Sequence, residues 1–248
     1  MDAIVLAAGQ GKRFGGNNPW ACKVLIEVGG ECLLDRHFDA LFSQGVSRLV
    51  VTVGFEAARI EERLARIARG RPYVTVPNAR FTEGSLYSLY LARAHLLGGD
   101  GCLVMDADVL YDPALIGVLV QSAEPNALLF DGGLLDDEMK VGVRGGRAVQ
   151  LGKKLRPEDY EAMGRGPGFY KVDAVAGAAL ARALEAMVSE GLAHLEYEDA
   201  FNRLFVDHPL APVEVAGRPW TEIDNLVDLK HAIDDIWPRL QAPRRDAR

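Results

Sequence analysis

Read for hydrophobic and polar positions, the first half of the chain alternates between two kinds of segment. Apolar runs recur at AIVLAA (3–8), RLVVTVGF (48–55), YVTV (73–76), CLVMDAD (102–108) and ALLF (127–130), followed by VGVRG (141–145). Several are apolar throughout rather than alternating, which predicts strands buried on both faces of a parallel sheet. Between them the apolar positions take helical spacing. In LLDRHFDALFSQG, Leu34, Phe38, Leu41 and Phe42 share a face and Gly45 ends the helix. In EAARIEERLARIARG the stripe is Ile60, Leu64 and Ile67. SLYSLYLARAHLL (85–97) is apolar almost all round, with Ser85 placed to cap it, and predicts a buried helix. The Asp-Pro start of DPALIGVLVQS (112–122) opens another.

Alternation of strand and helix predicts an α/β fold built on a mainly parallel sheet with right-handed crossovers. After about residue 125 the rhythm changes. Residues 127–175 read as short strands separated by glycine turns, then helices are expected near 173–190, 196–206 and 224–236. No Pro/Ser-rich linker or internal repeat divides the chain. We therefore expect one domain over 1–236 with a β-rich extension, and a C-terminal tail over 237–248, whose end QAPRRDAR is basic and unpatterned.

Composition narrows the function classes. A hydrophobic fraction of 49% supports a sizeable core, and a net charge of -7 argues against a general nucleic-acid binder. Small anionic substrates remain open, because a few local cations or backbone N–H groups hold phosphate within an acidic protein. Cys22, Cys32 and Cys102 have neither disulfide-framework nor zinc spacing, so free buried thiols of a reducing, cytoplasmic protein are expected. The N-terminal apolar run is too short for a signal peptide or membrane span, and no later run is long enough.

The chemistry-bearing stretch is LAAGQGKRFGG, residues 6–16. Phe14 occupies the place where a GxGxxG dinucleotide fingerprint needs glycine, and the Walker pattern GxxxxGK[ST] is absent. An anion site remains: glycines let successive N–H groups converge on phosphate oxygens, Arg13 forks onto them, and Lys23 adds a point charge. Two carboxylate groups complete the pattern. Asp106 and Asp108 follow a predicted strand, at the end where open α/β sheets bind ligands, and suit a hard divalent cation. Glu222 and Asp224 lie in WTEIDNLVDLKHA, just ahead of an amphipathic helix.

LAAGQGKRFG followed by Lys23 resembles the signature of nucleotidyltransferases that join an NTP to a phosphorylated sugar or alcohol. W-x-E-I-D ahead of an acidic helix narrows the resemblance to cytidylyltransferases acting on phosphocholine, inositol-1-phosphate or phosphonates. The resemblance covers about residues 1–235 and implies a single Rossmann-like domain with a small β-rich acceptor-side extension. It implies Arg13 and Lys23 as catalytic cations, and Leu6, Ala7, Ala8, Gly9, Gly11 and Lys12 as the phosphate clasp. It also implies Mg²⁺ held by Asp108 and Asp224, with Asp106 the second choice on the first strand and Glu222 assisting. NARFTEGSLYSLYLA resembles the nucleotide-lining segment, giving Asn78, Glu83, Gly84 and Ser85. Lys140 and Lys154 in DDEMKVGVRGGRAVQLGKKL, Lys171 in GPGFYKV, and Glu198 and Asp199 in EYEDAFNRLF are the implied acceptor contacts.

The family pattern of proline followed directly by lysine is interrupted here by Trp20-Ala21-Cys22. The acid that relatives carry before a Gly-Ile pair is missing from GPGFYKV. The implied partners are CTP and a small phosphorylated or phosphonate acceptor, without nucleic acid or membrane; homodimers are common among similar enzymes. Three other readings stay open. These are a uridylyl- or other nucleotidyltransferase acting on a sugar-1-phosphate, a glycosyltransferase using Asp106-Ala107-Asp108, and a non-catalytic nucleotide-binding relative.

Overall fold

The computed structural model describes residues 1–14, 20–133 and 139–242. Seven strands form the central sheet: β1 (Asp2–Ala7), β2 (Arg48–Val53), β3 (Tyr73–Pro77), β4 (Cys102–Asp106), β5 (Ala127–Phe130), β6 (Phe169–Val172) and β7 (Ala211–Glu214). Their spatial order is β7-β5-β6-β4-β1-β2-β3. Every neighbouring pair is parallel except those made by β6, which runs antiparallel to both β4 and β5. The continuous apolar runs of β1, β2 and β4 are explained by this placement, since helices cover both faces of the sheet.

Eight α-helices are described: α1 (Leu33–Ser43), α2 (Ala57–Ile67), α3 (Ser85–Ala92), α4 (Ala114–Val120), α5 (Ala174–Ser189), α6 (Tyr197–Leu204), α7 (Leu226–His231) and α8 (Trp237–Gln241). One core gathers side chains of α1, α2 and α4 against Val5, Val51 and Met105; the other gathers those of α3, α5 and α6 against Ile4, Val50 and Val104. Successive residues of each strand thus feed opposite layers, as a period of two requires. Among the described residues, no helix is long and apolar enough to cross a membrane.

The chain leaves β1 toward β2 on one side, and β4 lies against β1 on the other. Register pairs Leu6 with Asp106, so the glycine loop after β1 and the Asp106-Ala107-Asp108 turn emerge side by side. Ligands of open α/β sheets bind at such a switch point. The β-rich extension is a three-stranded antiparallel sheet of Lys140–Arg144, Arg147–Gly152 and Ala162–Arg165.

Local expectations shift in three places. Gly84, not Ser85, precedes α3 as its cap residue, because the Ser85 hydroxyl is engaged elsewhere. The long apolar segment is helical only to Ala92 and then tightens to a 3₁₀ turn over Arg93–Leu97. The stretch 237–248, expected as a tail, begins with helix α8. Trp237 packs against the third core cluster of Phe14, Ile26, Ile223 and Ile236, and the Arg36 guanidinium lies 4.5 Å above its ring. Residues 243–248 lie outside the described residues.

Candidate active site

The backbone after β1 turns sharply so that residues 8–13 wrap the end of the sheet. Gly11 has φ +53°, and a Cβ there would stand 2.3 Å from the Ala21 carbonyl oxygen, so the turn requires glycine. Phe14, which excluded the dinucleotide reading, is buried in the third core cluster and anchors the loop's far end. Residues 15–19, including Pro19, lie outside the described residues.

The second chain segment of the site arrives through a short strand pair. Trp220–Glu222 runs antiparallel to Val109–Tyr111, pairing Trp220 with Tyr111 and Glu222 with Val109. The Ile223 N–H then donates to the Asp108 carbonyl at 2.8 Å. This ladder carries Glu222 and Asp224 to Asp108 across more than 110 residues. The helix cap that follows is Asn225, which forms a capping box with Asp228, so the Asp224 carboxylate is not consumed as a cap.

Oxygens of Asp108, Glu222 and Asp224 lie within 4.8 Å of one another, each residue partly exposed to the cleft. Three carboxylates at that spacing offer the hard oxygen donors that Mg²⁺ takes, and the residues present fit such an ion. Two cations pair with Asp108 and Asp224 in this structure. Lys23 Nζ donates to Asp108 Oδ2 at 2.8 Å and to Asp224 Oδ1, while the Arg13 guanidinium pairs with Asp224 Oδ2. Burial opposes the charge on Lys23, but Asp108 and Asp224 outweigh it and hold the ammonium above its ordinary range. Burial likewise opposes ionisation of Asp224, and Lys23 and then Arg13 hold its carboxyl below the usual value.

Behind this ionic end a cavity of about 390 Å³ runs along the C-terminal edges of β1, β4 and β5 toward α6. Its inner half is acidic and aromatic. Asp106 accepts the Tyr197 hydroxyl at 2.9 Å, and burial, then the nearby Asp108 charge, push its carboxyl well above the ordinary value. Gly168 has φ +69°, and a Cβ there would fall 1.9 Å from Asp106 Oδ2; glycine at this position leaves room for that carboxylate. Glu198 reaches the same wall, and burial raises its carboxyl to about 7. The Ser85 hydroxyl donates to Glu196 and accepts the Tyr197 N–H at 2.9 Å, locking α3 to the start of α6.

The structure sorts the sequence-derived candidates. Leu6, Ala8, Gly9, Arg13, Lys23, Glu83, Gly84, Ser85, Asp106, Asp108, Glu198 and Asp224 all line the cavity. Others stand outside its wall, each for a local reason. Ala7 alternates to the opposite face of β1, its N–H on Thr52 Oγ1 at 3.3 Å, while Gly11 shapes the turn and Lys12 is exposed within it. Asn78 is buried and braces its loop, donating to Ser88 Oγ at 2.9 Å and accepting the Arg80 N–H at 2.8 Å. Asp199 follows Glu198 around α6 and leaves the wall.

None of the three acceptor-side lysines, Lys140, Lys154 and Lys171, lines the cavity. Lys140 donates to the Lys153 carbonyl at 2.9 Å and props the turn in which Lys153, one residue before the expected Lys154, lines the cavity. Lys171 alternates with cavity-lining Tyr170 on β6 and so points to the opposite layer. There it is buried and donates to the Ser122 carbonyl at 2.8 Å and the Val120 carbonyl at 3.4 Å. Lys171→Met is accordingly expected to leave turnover within about two-fold of wild type. It should destabilise the fold by roughly 1–2 kcal/mol, because two part-buried carbonyl acceptors lose their donor; parallel melting and steady-state assays check this. Residues 134–138, which include Asp136 and Asp137 of the acceptor-side segment, lie outside the described residues.

A glycine turn, paired cations and facing carboxylates at the switch point of an α/β sheet form a site whose chemistry suits a triphosphate and a divalent cation. Comparison with known proteins agrees: residues 3–131 match the MobA-like NTP transferase domain, and the chain belongs to that family. It is 30% identical over 127 residues to the UTP–glucose-1-phosphate uridylyltransferase AglF of Haloferax volcanii, covering 51% of each chain. It is 28% identical over 238 residues to a bifunctional IPC transferase and DIPP synthase of Rubrobacter xylanophilus, covering 93% of this chain and 50% of the other. The chain thus spans about half the length of these curated relatives. Among solved structures, the inositol-1-phosphate CTP transferase from T. maritima superposes with a TM-score of 0.76 at 19% identity, covering 96% of this chain and 95% of that one.

Proposed function

We propose that this chain transfers CMP from CTP to a small phosphorylated alcohol or phosphonate, releasing pyrophosphate. The observation that carries the reading is the facing of Arg13 and Lys23, at the glycine clasp, with Asp108 and Asp224 at the mouth of a pocket deep enough for an acceptor. An acceptor oxygen attacks the α-phosphorus; the new P–O bond forms as the bond to the bridging oxygen of pyrophosphate breaks. A phosphate monoester is mostly dianionic at neutral pH, its second pKa being about 6, so no general base is required. Backbone N–H groups of the clasp orient the triphosphate, and Lys23 neutralises charge building on the transferring group. Arg13 steadies pyrophosphate as it leaves. Mg²⁺, held by Asp108, Glu222 and Asp224, would supply charge neutralisation across the α-phosphate.

The inner half of the pocket selects among acceptors. Glu196 and Glu198 gather beside the rings of Tyr170 and Tyr197, a lining complementary to an ammonium group. An acceptor with a phosphate or phosphonate at one end and an ammonium group at the other, such as phosphocholine or 2-aminoethylphosphonate, matches both halves. Inositol-1-phosphate or a sugar-1-phosphate leaves those acids without a cation, which disfavours the uridylyltransferase reading.

A panel pairing each NTP with each acceptor, read by pyrophosphate release, tests this. The expected order is CTP above UTP, and ammonium-bearing acceptors above polyol phosphates. Preference for UTP with a sugar-1-phosphate would reverse the assignment. Glu198→Gln is expected to raise KM for phosphocholine about tenfold with little change in kcat, since it removes a desolvated charge partner. Glu198 is raised to about 7, so it ionises as pH rises through that value, and the wild-type KM should fall across it. The variant should lose that component while keeping the one near pH 6 that belongs to the acceptor phosphate.

A further inference from the structure

The peptide between Asp106 and Asp108 has a partner from the other side of the sheet. His37 lies on α1 with no exposed surface, and its Nε2 is 2.9 Å from the Ala107 carbonyl oxygen. Its Nδ1 is 3.1 Å from the Tyr111 hydroxyl. A carbonyl only accepts, so Nε2 carries the proton; Nδ1 then offers a lone pair and Tyr111 donates to it. Burial, which disfavours the charged ring, pushes the His37 pKa down to about 4 and is consistent with this single neutral tautomer. The ring is clamped in that orientation by Tyr111, 5.3 Å away centroid to centroid, and by the edge of Phe169 at 6.4 Å.

The two partners of His37 belong to the two halves of the carboxylate group. Ala107 directly precedes Asp108. Tyr111 is register-paired with Trp220, on the strand that leads through Glu222 to Asp224. One buried imidazole therefore ties the turn bearing the first carboxylate to the ladder that delivers the other two.

We infer that His37 is a positioning residue that fixes the spacing of Asp108 against Glu222 and Asp224 through the Ala107 carbonyl and the Tyr111 hydroxyl. The inference rests on reading that trio as the divalent-cation site. Groups behind metal ligands typically change metal affinity by about 10–100-fold when removed, which sets the effect to look for.

The test is a Mn²⁺ titration of nucleotide-free protein, read by electron paramagnetic resonance of the free ion, with thermal melting run on each variant. His37→Leu should weaken Mn²⁺ binding by about tenfold or more. His37→Gln, whose amide N–H reaches toward the place of Nε2, should recover most of the loss. Tyr111→Phe keeps the ring packing and removes only the hydroxyl, and should give a smaller weakening. A folded His37→Leu with wild-type Mn²⁺ affinity overturns the inference, as does equal weakening in the Leu and Gln variants. Should His37→Leu fail to fold, Tyr111→Phe decides: wild-type affinity overturns the coupling, and weakened affinity at an unchanged melting temperature upholds it. Absence of Mn²⁺ binding by the wild type overturns the metal reading itself, and this inference with it.

Discussion

Lys23→Ala is expected to lower kcat by on the order of 10²–10³-fold while leaving a folded protein, the scale seen when one preorganised charge-stabilising donor is removed. In the nucleotide-free structure the ammonium bridges Asp108 and Asp224. In the proposed reacting complex those carboxylates would hold the divalent cation, leaving the ammonium to meet the phosphate that carries the developing charge. The fold should survive because the local turn is held by main-chain bonds: Leu25 N–H to the Cys22 carbonyl at 2.9 Å and Ile26 N–H to the Lys23 carbonyl at 3.0 Å. The Asp224 carboxyl is held below its ordinary value, so the network's stabilisation is present at neutral pH and lost only as pH falls through that depressed value. Melting at pH 7 should accordingly drop by a few degrees in the variant and recover in part with added Mg²⁺. Lys23→Arg should not rescue turnover, since a planar fork does not replace a compact ammonium between two carboxylates. Single-turnover kinetics near wild type in Lys23→Ala would remove this residue from the mechanism.

Asp108→Ala is expected to be at least as damaging, lowering turnover by roughly 10² or more and shifting the Mg²⁺ dependence to higher concentration. Asp108 serves two parts of the site. Its side chain belongs to the three-carboxylate group and receives Lys23, while its carbonyl accepts the Ile223 N–H at 2.8 Å. The alanine variant removes the first and keeps the second, so Glu222 and Asp224 stay in place and the protein should fold. Excess Mg²⁺ should restore only part of the rate, because a missing ligand changes where the ion sits as well as how tightly it binds. A variant with normal turnover at ordinary Mg²⁺ would exclude Asp108 from the metal site.

The parts of this site that were legible in the sequence are those fixed by local chain geometry. A buried strand running into glycines announces the tight turn after β1, and acids at the end of a second apolar strand mark the edge of the cavity. Residues placed by pairing between distant segments were harder to read. That Glu222 joins Asp108 follows from the pairing of Trp220–Glu222 with Val109–Tyr111, which no local pattern encodes. Lys171 and Lys154 show the sharpness of side-chain direction. A single step along β6 moves a side chain from the cavity to the opposite layer, and a single step in the 153–154 turn substitutes one lysine for the next. Ser85 looked like a cap because its spacing suits one, yet its hydroxyl is taken by Glu196 and Tyr197, more than 100 residues on. No local pattern marks His37; it meets Ala107 because α1 lies against the turn that follows β4.

The central claim is that one phosphorus moves from CTP to an acceptor oxyanion with pyrophosphate as the only other product. Phosphorus NMR of the purified protein with CTP, Mg²⁺ and phosphocholine tests it most directly. We expect pyrophosphate and a CMP–acceptor diphosphate to appear in equal amounts, with no inorganic phosphate. Silence with CTP and every phospho-alcohol or phosphonate, or the same diphosphate chemistry appearing only with UTP and a sugar-1-phosphate, would contradict the account.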